Sequence, residues 1–188
     1  MTIHAHASTT MSNEKNPRKD PHMPLSIRPA AISDAAAVAR IYNQAVARTT
    51  ATFDTELKTE DDRRLWLTRR AKEHPAIVAT VDVGVAGWGA FLPWSDRCAY
   101  RSTVEMSVYV DEQHHRGGVG AALSRELLRL APEVGIHSIL ARVCSENTAS
   151  LAMAERLGFR EVGTMHEVGR KFDRWLDVVV LELLVQGD

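Results

Sequence analysis

The chain has 188 residues, 45% of them hydrophobic and 25% charged, with a formal net charge of -1. That length holds one domain with a sizeable core. The balanced charge lacks the basic excess of a nucleic-acid binder, and no apolar run approaches the ~20 residues of a membrane span.

Residues 1–24 are polar and contain Pro17, Pro21 and Pro24, with His4, His6 and His22 among them. They are expected to form a disordered tail, or to lie upstream of a later start at Met11 or Met23. They lack the apolar core of a signal peptide, and a metal role for the three histidines is disfavoured. The two cysteines, Cys98 and Cys144, cannot build a disulfide framework, and reduced thiols in a cytoplasmic protein are expected.

One domain is expected over residues 25–188. Ser26-Ile27-Arg28-Pro29 reads as a first strand. Ser33 or Asp34 is placed to cap a helix whose apolar positions Val38, Ile41, Tyr42, Ala45 and Val46 share one face. Thr59-Glu60-Asp61-Asp62 resembles a capping start for a second helix through about Lys72, before Pro75 breaks the pattern. The basic pairs Arg63-Arg64 and Arg69-Arg70 in this helix read as a solvated face. Ala76 to Val81 and Val85 to Leu92 flank Asp82-Val83-Gly84 as a hairpin. Thr103 to Val110 is the next strand. A helix striped by Val119, Ala122, Leu123, Leu127 and Leu130 follows, then a strand from Ser138 to Val143. A helix from Thr148 to Leu157 ends at Gly158, and strands at Phe159 to Met165 and Leu176 to Val185 complete the set. The order β-α-α-β-β-β-α-β-α-β-β describes a mixed sheet with helices on its faces.

Val108 to Leu123 is the most informative stretch: an apolar strand, a polar turn, the glycines Gly117, Gly118 and Gly120, then an amphipathic helix. N–H groups at a helix start have no intrahelical partner and sit at the positive end of its dipole. Glycines let an anion approach them closely. A nucleoside-triphosphate loop would end in Gly-Lys-Ser/Thr, but Gly120 is followed by Ala121-Ala122. A dinucleotide fingerprint needs a third glycine where Leu123 stands. Coenzyme A is the preferred ligand, against a poorly matched dinucleotide and a glycine turn without a ligand.

His115-Arg116-Gly117-Gly118-Val119-Gly120 resembles the pyrophosphate loop of the GNAT family of N-acetyltransferases. Asn147-Thr148-Ala149-Ser150 with Glu155-Arg156-Leu157-Gly158-Phe159 is similar to that family's second signature. Ile27-Arg28-Pro29-Ala30, Ile41-Tyr42-Asn43, Thr103 to Val110 and Gly169 to Asp177 resemble its phosphinothricin and methionine-sulfoximine branch. The resemblance covers about residues 25–186. It implies an α/β acyl-CoA N-acyltransferase fold, with a mixed, mostly antiparallel sheet and helices on both faces. It also implies acetyl-CoA as co-substrate, no metal, a small amino acid or analogue as acceptor, direct transfer in a ternary complex, and a homodimer.

Residue by residue, the resemblance makes Glu105 the candidate base, in a strand whose burial should tune it for proton transfer. The competing reading is an outward-facing carboxylate paired with an arginine. Backbone groups of Val108, Tyr109 and Val110 are expected to bind the acyl arm and the oxyanion, freed by a splay or bulge in the strand. His115, Arg116, Gly117, Gly118, Val119 and Gly120 are expected to hold the pyrophosphate, and Asn147 and Ser150 the pantetheine arm. Asn147 fits a helix cap equally well on physical grounds. Arg97 and Arg101 are candidates for a substrate carboxylate, with surface arginines as the plain alternative. Phe53 reads as pocket wall or core. Lys171, Phe172, Arg174 and Trp175 are expected to shape the pocket or a dimer contact, with Trp175 more a packing residue.

Two positions depart from the family pattern. His115 stands where Gln or Arg is usual, facing either phosphate or solvent. Ala154 stands where relatives place a Tyr or His near the sulfur, and alanine has no proton to give. Cys144 lacks an obvious partner and reads as structural. Rival functions are a catalytically weak acyl-CoA sensor on the same fold, and an acetyltransferase for a protein N-terminus or a polyamine.

Overall fold

The computed structural model describes residues 25–82 and 84–185, so the expectations for residues 1–24 fall outside it. In chain order the elements are β1 (Leu25–Pro29), α1 (Ala35–Arg48), α2 (Glu60–Thr68), β2 (Ala76–Val81), β3 (Gly84–Pro93), β4 (Thr103–Val110), α3 (Val119–Leu130), β5 (Ser138–Cys144), α4 (Thr148–Arg156), β6 (Arg160–Lys171) and β7 (Arg174–Leu184). The strands form one sheet in the order β1-β2-β3-β4-β5-β7-β6. Every pairing is antiparallel except β4 with β5, which is parallel.

Period-two alternation divides the core between the two faces. On one face Ile77, Ala79, Phe91, Val104 and Ile139 pack with Leu123 and Leu127 of α3 and Ala154 of α4. On the other, Val78, Trp88 and Ala90 pack with Val38, Ile41, Tyr42 and Val46 of α1. Strand β4 follows the same rule: Met106, Val108 and Val110 join the α3 side, while Tyr109 joins the α1 side.

Several local expectations need correction. Asp34 precedes α1 but makes no side-chain cap bond. Its carboxylate instead takes both Arg28 donors, at 2.7 and 2.8 Å, and the Ala31 N–H at 2.8 Å. The Arg28 hydrogen bonds hold its pKa below the usual carboxylate range, against burial. Helix α2 stops at Thr68 rather than near Lys72, and its basic pairs do not form one solvated face. Arg64 is exposed and meets Glu60 at 2.5 Å. Arg63 is buried over the Tyr42 ring, and Arg70 stacks on Trp66. The aromatic rings beneath α2 receive long cationic stems that spacing alone assigns to water.

The last two strands are longer than expected and meet in a tight hairpin. Its turn residues Phe172 and Asp173 both have positive φ, 52° and 60°, the conformation a two-residue hairpin requires. Neither is the glycine or asparagine that usually announces such a turn. Irregular register between Glu161 and Gly163, and between Met165 and Gly169, also hides the alternation.

Candidate active site

Strands β4 and β5 are paired only at Thr103–Ser138, Val104–Ile139 and Glu105–Leu140. Beyond this point β5 continues with β7 as far as Cys144, and β4 continues with β3 as far as Val110. The sheet therefore opens into a fork with Glu105 at its vertex. Met106 to Val110 present an edge without a partner strand on the β5 side among the described residues. An unpaired edge offers N–H and C=O groups to an extended ligand. The splay expected near Val108 to Val110 is thus present, and it begins at Glu105.

The glycine loop lies at the far end of that edge. Asp111 caps a short 3-10 turn over Glu112–His114, and Gly118 enters α3 in the left-handed region at φ 79°, which a side chain would strain. The N–H groups of Val119, Gly120 and Ala121 lie in the first turn of α3, where no intrahelical acceptor exists. A Cβ on Gly120 would sit 3.5 Å from Val110 Cγ2 and 3.6 Å from Met153 Sδ. The start of α3, the end of β4 and helix α4 thus converge across the mouth of the fork. Asn147 caps α4 and accepts the Ser150 N–H at 3.2 Å, which leaves its NH₂ group for other use. His115 turns its ring back to the Val110 carbonyl, with Nε2 at 3.1 Å.

The loop is held from α1 by residues the sequence reading did not single out. Arg40, Gln44 and Arg48 recur at every fourth position, on one side of the helix. Arg40 pairs with Asp111, Gln44 Oε1 accepts the Glu112 N–H at 3.1 Å, and Arg48 holds both Glu112 oxygens at 2.6 Å. Burial raises the pKa of Asp111, but hydrogen bonds from Arg40 and the Gln113 N–H outweigh it and leave it lowered. The spacing was visible in the sequence; its acidic partners, more than sixty residues away, were not.

Glu105 is paired with an arginine, as its competing reading expected, though the sequence reading did not name which one. Arg142 on β5 donates to it from Nε at 2.9 Å and Nη2 at 2.6 Å, a fork-to-fork pair that fixes the carboxylate's orientation. The Glu105 hydrogen bond raises the pKa of Arg142. The setting of Glu105 is therefore an ion pair across the fork, rather than apolar burial alone. An arginine in the otherwise apolar Ser138–Cys144 was the available signal.

The β3–β4 connection carries the two other candidate cations. Arg97 and Arg101 flank a 3-10 turn over Cys98–Tyr100. Both are exposed, and neither meets a carboxylate among the described residues. Phe53 lies in the loop after α1, partly buried. Its ring covers Gly169 so closely that a Cβ there would lie 2.1 Å from Cδ2. The buried Lys171 secures the same loop, donating to the Thr52 carbonyl at 2.7 Å, and burial lowers its pKa. Tyr42 donates to Asp54 at 2.9 Å and meets Thr52 Oγ1 at 3.0 Å. Phe53 thus bridges to the β6–β7 hairpin. Ala154 and Cys144 are both buried, and Trp175 is exposed.

An open strand edge running from a carboxylate to a glycine-capped helix start suits an elongated, phosphate-bearing acyl carrier. The Acetyltransferase (GNAT) family model matches residues 38–159. An L-methionine sulfoximine/L-methionine sulfone acetyltransferase from Pseudomonas aeruginosa is 37% identical over 163 residues, covering 86% of this chain and 95% of that protein. A phosphinothricin N-acetyltransferase from Streptomyces viridochromogenes is 37% identical over 155 residues, covering 82% of this chain and 85% of that protein. Among solved structures, the yncA acetyltransferase from Salmonella typhimurium with its cofactor acetyl-CoA superposes with a TM-score of 0.84 at 34% identity, covering 87% of this chain and 95% of that one. The chain belongs to the GNAT family of acetyltransferases.

Proposed function

We propose that this enzyme transfers an acetyl group from acetyl-CoA to the amino group of a small amino acid or analogue, of the methionine-sulfoximine or phosphinothricin type. The observation that carries this reading is the fork, with Glu105 at its vertex and a free strand edge leading to the glycine loop. The names of the relatives from Pseudomonas aeruginosa and Streptomyces viridochromogenes support the substrate class.

Acetyl-CoA supplies the acyl group as a thioester. The loop His115 to Gly120 holds its pyrophosphate, chiefly through the N–H groups left free at the start of α3, with Asn147 and Ser150 on the pantetheine arm. The backbone of Val108, Tyr109 and Val110 lines the acyl arm and donates to the charge developing on the acyl oxygen. Glu105 takes the amine proton, directly or through one water, as the C–N bond forms and the C–S bond breaks. A thiol titrates near ~8.5, so the thiolate leaves without the proton donor that Ala154 lacks, and it is protonated from solvent. Transfer is direct, in a ternary complex: Cys144, the contender for an acyl-carrying nucleophile, is buried in the core. Arg97 and Arg101 take the substrate carboxylate, and Phe53 forms a wall of its pocket. The exposed Val168, Phe172 and Trp175 of the β6–β7 hairpin offer an apolar surface for a second copy. The free thiols fit a cytoplasmic protein.

Thiol release from acetyl-CoA, measured over amino acids, methionine sulfoximine, phosphinothricin and spermidine, tests this. Activity is expected on one of the first three, and its absence there overturns the substrate class. Ala154 is the one feature that favours an acyl-CoA sensor, and turnover with any amine eliminates that alternative.

A further inference from the structure

Helix α2 and the turn that follows it direct Arg63, Trp66 and Arg70 toward the sheet, and Arg63 and Arg70 are treated differently. Arg70 is hydrogen-bonded to three backbone carbonyls: His74 at 2.7 Å, Pro75 at 3.3 Å, and Phe91. Arg63 is 9% exposed, and its side chain makes no hydrogen bond or ion pair among the described residues. Its Nε is fully buried without an acceptor. The guanidinium lies 4.0 Å from the Tyr42 ring centre, 5.5 Å from Trp66 and 5.7 Å from Trp88. The indole Nε1 of Trp88 is likewise buried and unpaired.

Stacking on aromatic rings stabilises the cation but gives its N–H fork no lone pair to meet. A guanidinium and an indole N–H are donors only, so neither can satisfy the other. Leaving such groups unpaired is costly in a folded protein. Two carboxylates feel the Arg63 charge, Asp54 and Asp62, and both are engaged elsewhere. Asp54 is held by Tyr42 at 2.9 Å and Lys58 at 3.2 Å, and Asp62 by Thr59 at 2.8 Å. Among the described residues neither buried donor has an acceptor, and a bound ligand can supply one. The cluster also lies on the face of the proposed base: Trp88 pairs with Tyr109 across β3 and β4, and Glu105 stands four residues before Tyr109 on that face.

We propose that Arg63 is a substrate-binding residue that receives the oxygen atoms of a sulfone, sulfoximine or phosphinate at the end of the amino-acid side chain. Tyr42, Trp66 and Trp88 wall the apolar stem that carries this group. Arg97 and Arg101 are then left for the α-carboxylate, so the two polar ends of the substrate have separate cations. The inference rests on the amino-acid reading above and sharpens it: the enzyme discriminates by oxygens on the distal atom, and a thioether of the same shape binds poorly.

Steady-state kinetics with methionine sulfone and methionine test this directly, since the pair differs only in those oxygens. The wild type is expected to favour the sulfone by about tenfold or more in kcat/KM, because a site built to donate hydrogen bonds rejects a ligand that cannot accept them. Arg63→Met is expected to bring the ratio near one, through the KM of the sulfone, with the KM of acetyl-CoA unchanged. Arg63→Lys is expected to fall between. If Arg63→Met does not fold, Trp88→Phe removes only the indole donor and is expected to lower the ratio by about threefold. A ratio that survives Arg63→Met in folded protein, or Trp88→Phe in its place, overturns the assignment. A wild type that acetylates both compounds equally overturns it and leaves the amino-acid reading intact. A wild type inactive on both and on every other amino acid overturns the reading itself.

Discussion

The two ends of β4 are built in opposite ways. After Val110 the chain is tied down: Arg40, Gln44 and Arg48 of α1 grip Asp111 and Glu112, His115 folds back on the Val110 carbonyl, and Gly118 sets the entry into α3. Before Thr103 the chain is a loop with Arg97, Cys98, Tyr100 and Arg101 exposed and a few backbone bonds for support, such as Tyr100 N–H to the Arg97 carbonyl at 2.9 Å. A loop proposed to receive the same carrier in every turnover gains from being fixed in advance. A loop proposed to meet the acceptor amine is drawn from the less constrained part of the fold. Glu105 stands between the two, at the vertex of the fork.

The sharpest way to break this comparison is at the vertex itself. Glu105→Gln keeps the shape and removes the proposed proton acceptor. It is expected to lower kcat by about 10²- to 10⁴-fold, with acetyl-CoA binding retained. An unchanged rate across pH 6–9 would reduce Glu105 to a structural partner of Arg142. The next effect falls on the acceptor side. Gly169→Val drives a side chain into the Phe53 ring, where even a Cβ would lie 2.1 Å away. Thermal unfolding is expected to report a loss of about 1–3 kcal/mol. Pairing it with Phe53→Ala separates wall from core: a raised amine KM in Phe53→Ala with a near-normal melting temperature marks a pocket wall.

The cofactor side is tested by Arg40→Gln. Asp111 is 4% exposed at its side chain, so removing Arg40 leaves a buried carboxylate uncompensated next to the loop proposed to hold the pyrophosphate. The KM of acetyl-CoA is expected to rise about tenfold, with the amine KM unmoved. The folded-state pKa of Asp111 is lowered, so the pair's stabilisation is present at neutral pH and lost as pH falls through that depressed value. Arg40→Gln should therefore flatten the acid limb of stability. An equal rise in both KM values would mean that the clamp supports the whole fold rather than one end of β4.

Most of this architecture was legible because it is local. The order of elements, the glycine loop and the Asn147 cap depend on periodicity and on residues a few positions apart. What was not legible is non-local. Arg142 meets Glu105 across a separation of 37 residues, and Arg40 meets Asp111 across 71. Nothing in the chain order announces either pair. Arg63 and Arg70 were misplaced because charge patterning counts a guanidinium as surface, while the aromatic residues from α1, α2 and β3 that cover Arg63 come together only in the folded sheet. The β6–β7 turn was missed because Phe172 and Asp173 adopt positive φ without a glycine.

The smallest effect is the most discriminating. Arg48 meets both Glu112 oxygens at 2.6 Å, yet the two side chains are 63% and 45% exposed. Water competes for both charges, and such pairs contribute about 0–1 kcal/mol. Arg48→Ala is therefore expected to change the KM of acetyl-CoA by less than about twofold. At high salt the Debye length falls to ~3 Å at 1 M, so this difference should vanish while that of Arg40→Gln persists. If Arg48→Ala matches Arg40→Gln at both salt concentrations, burial is not what makes the clamp effective. The geometry of α1 as a whole would then set the position of the loop.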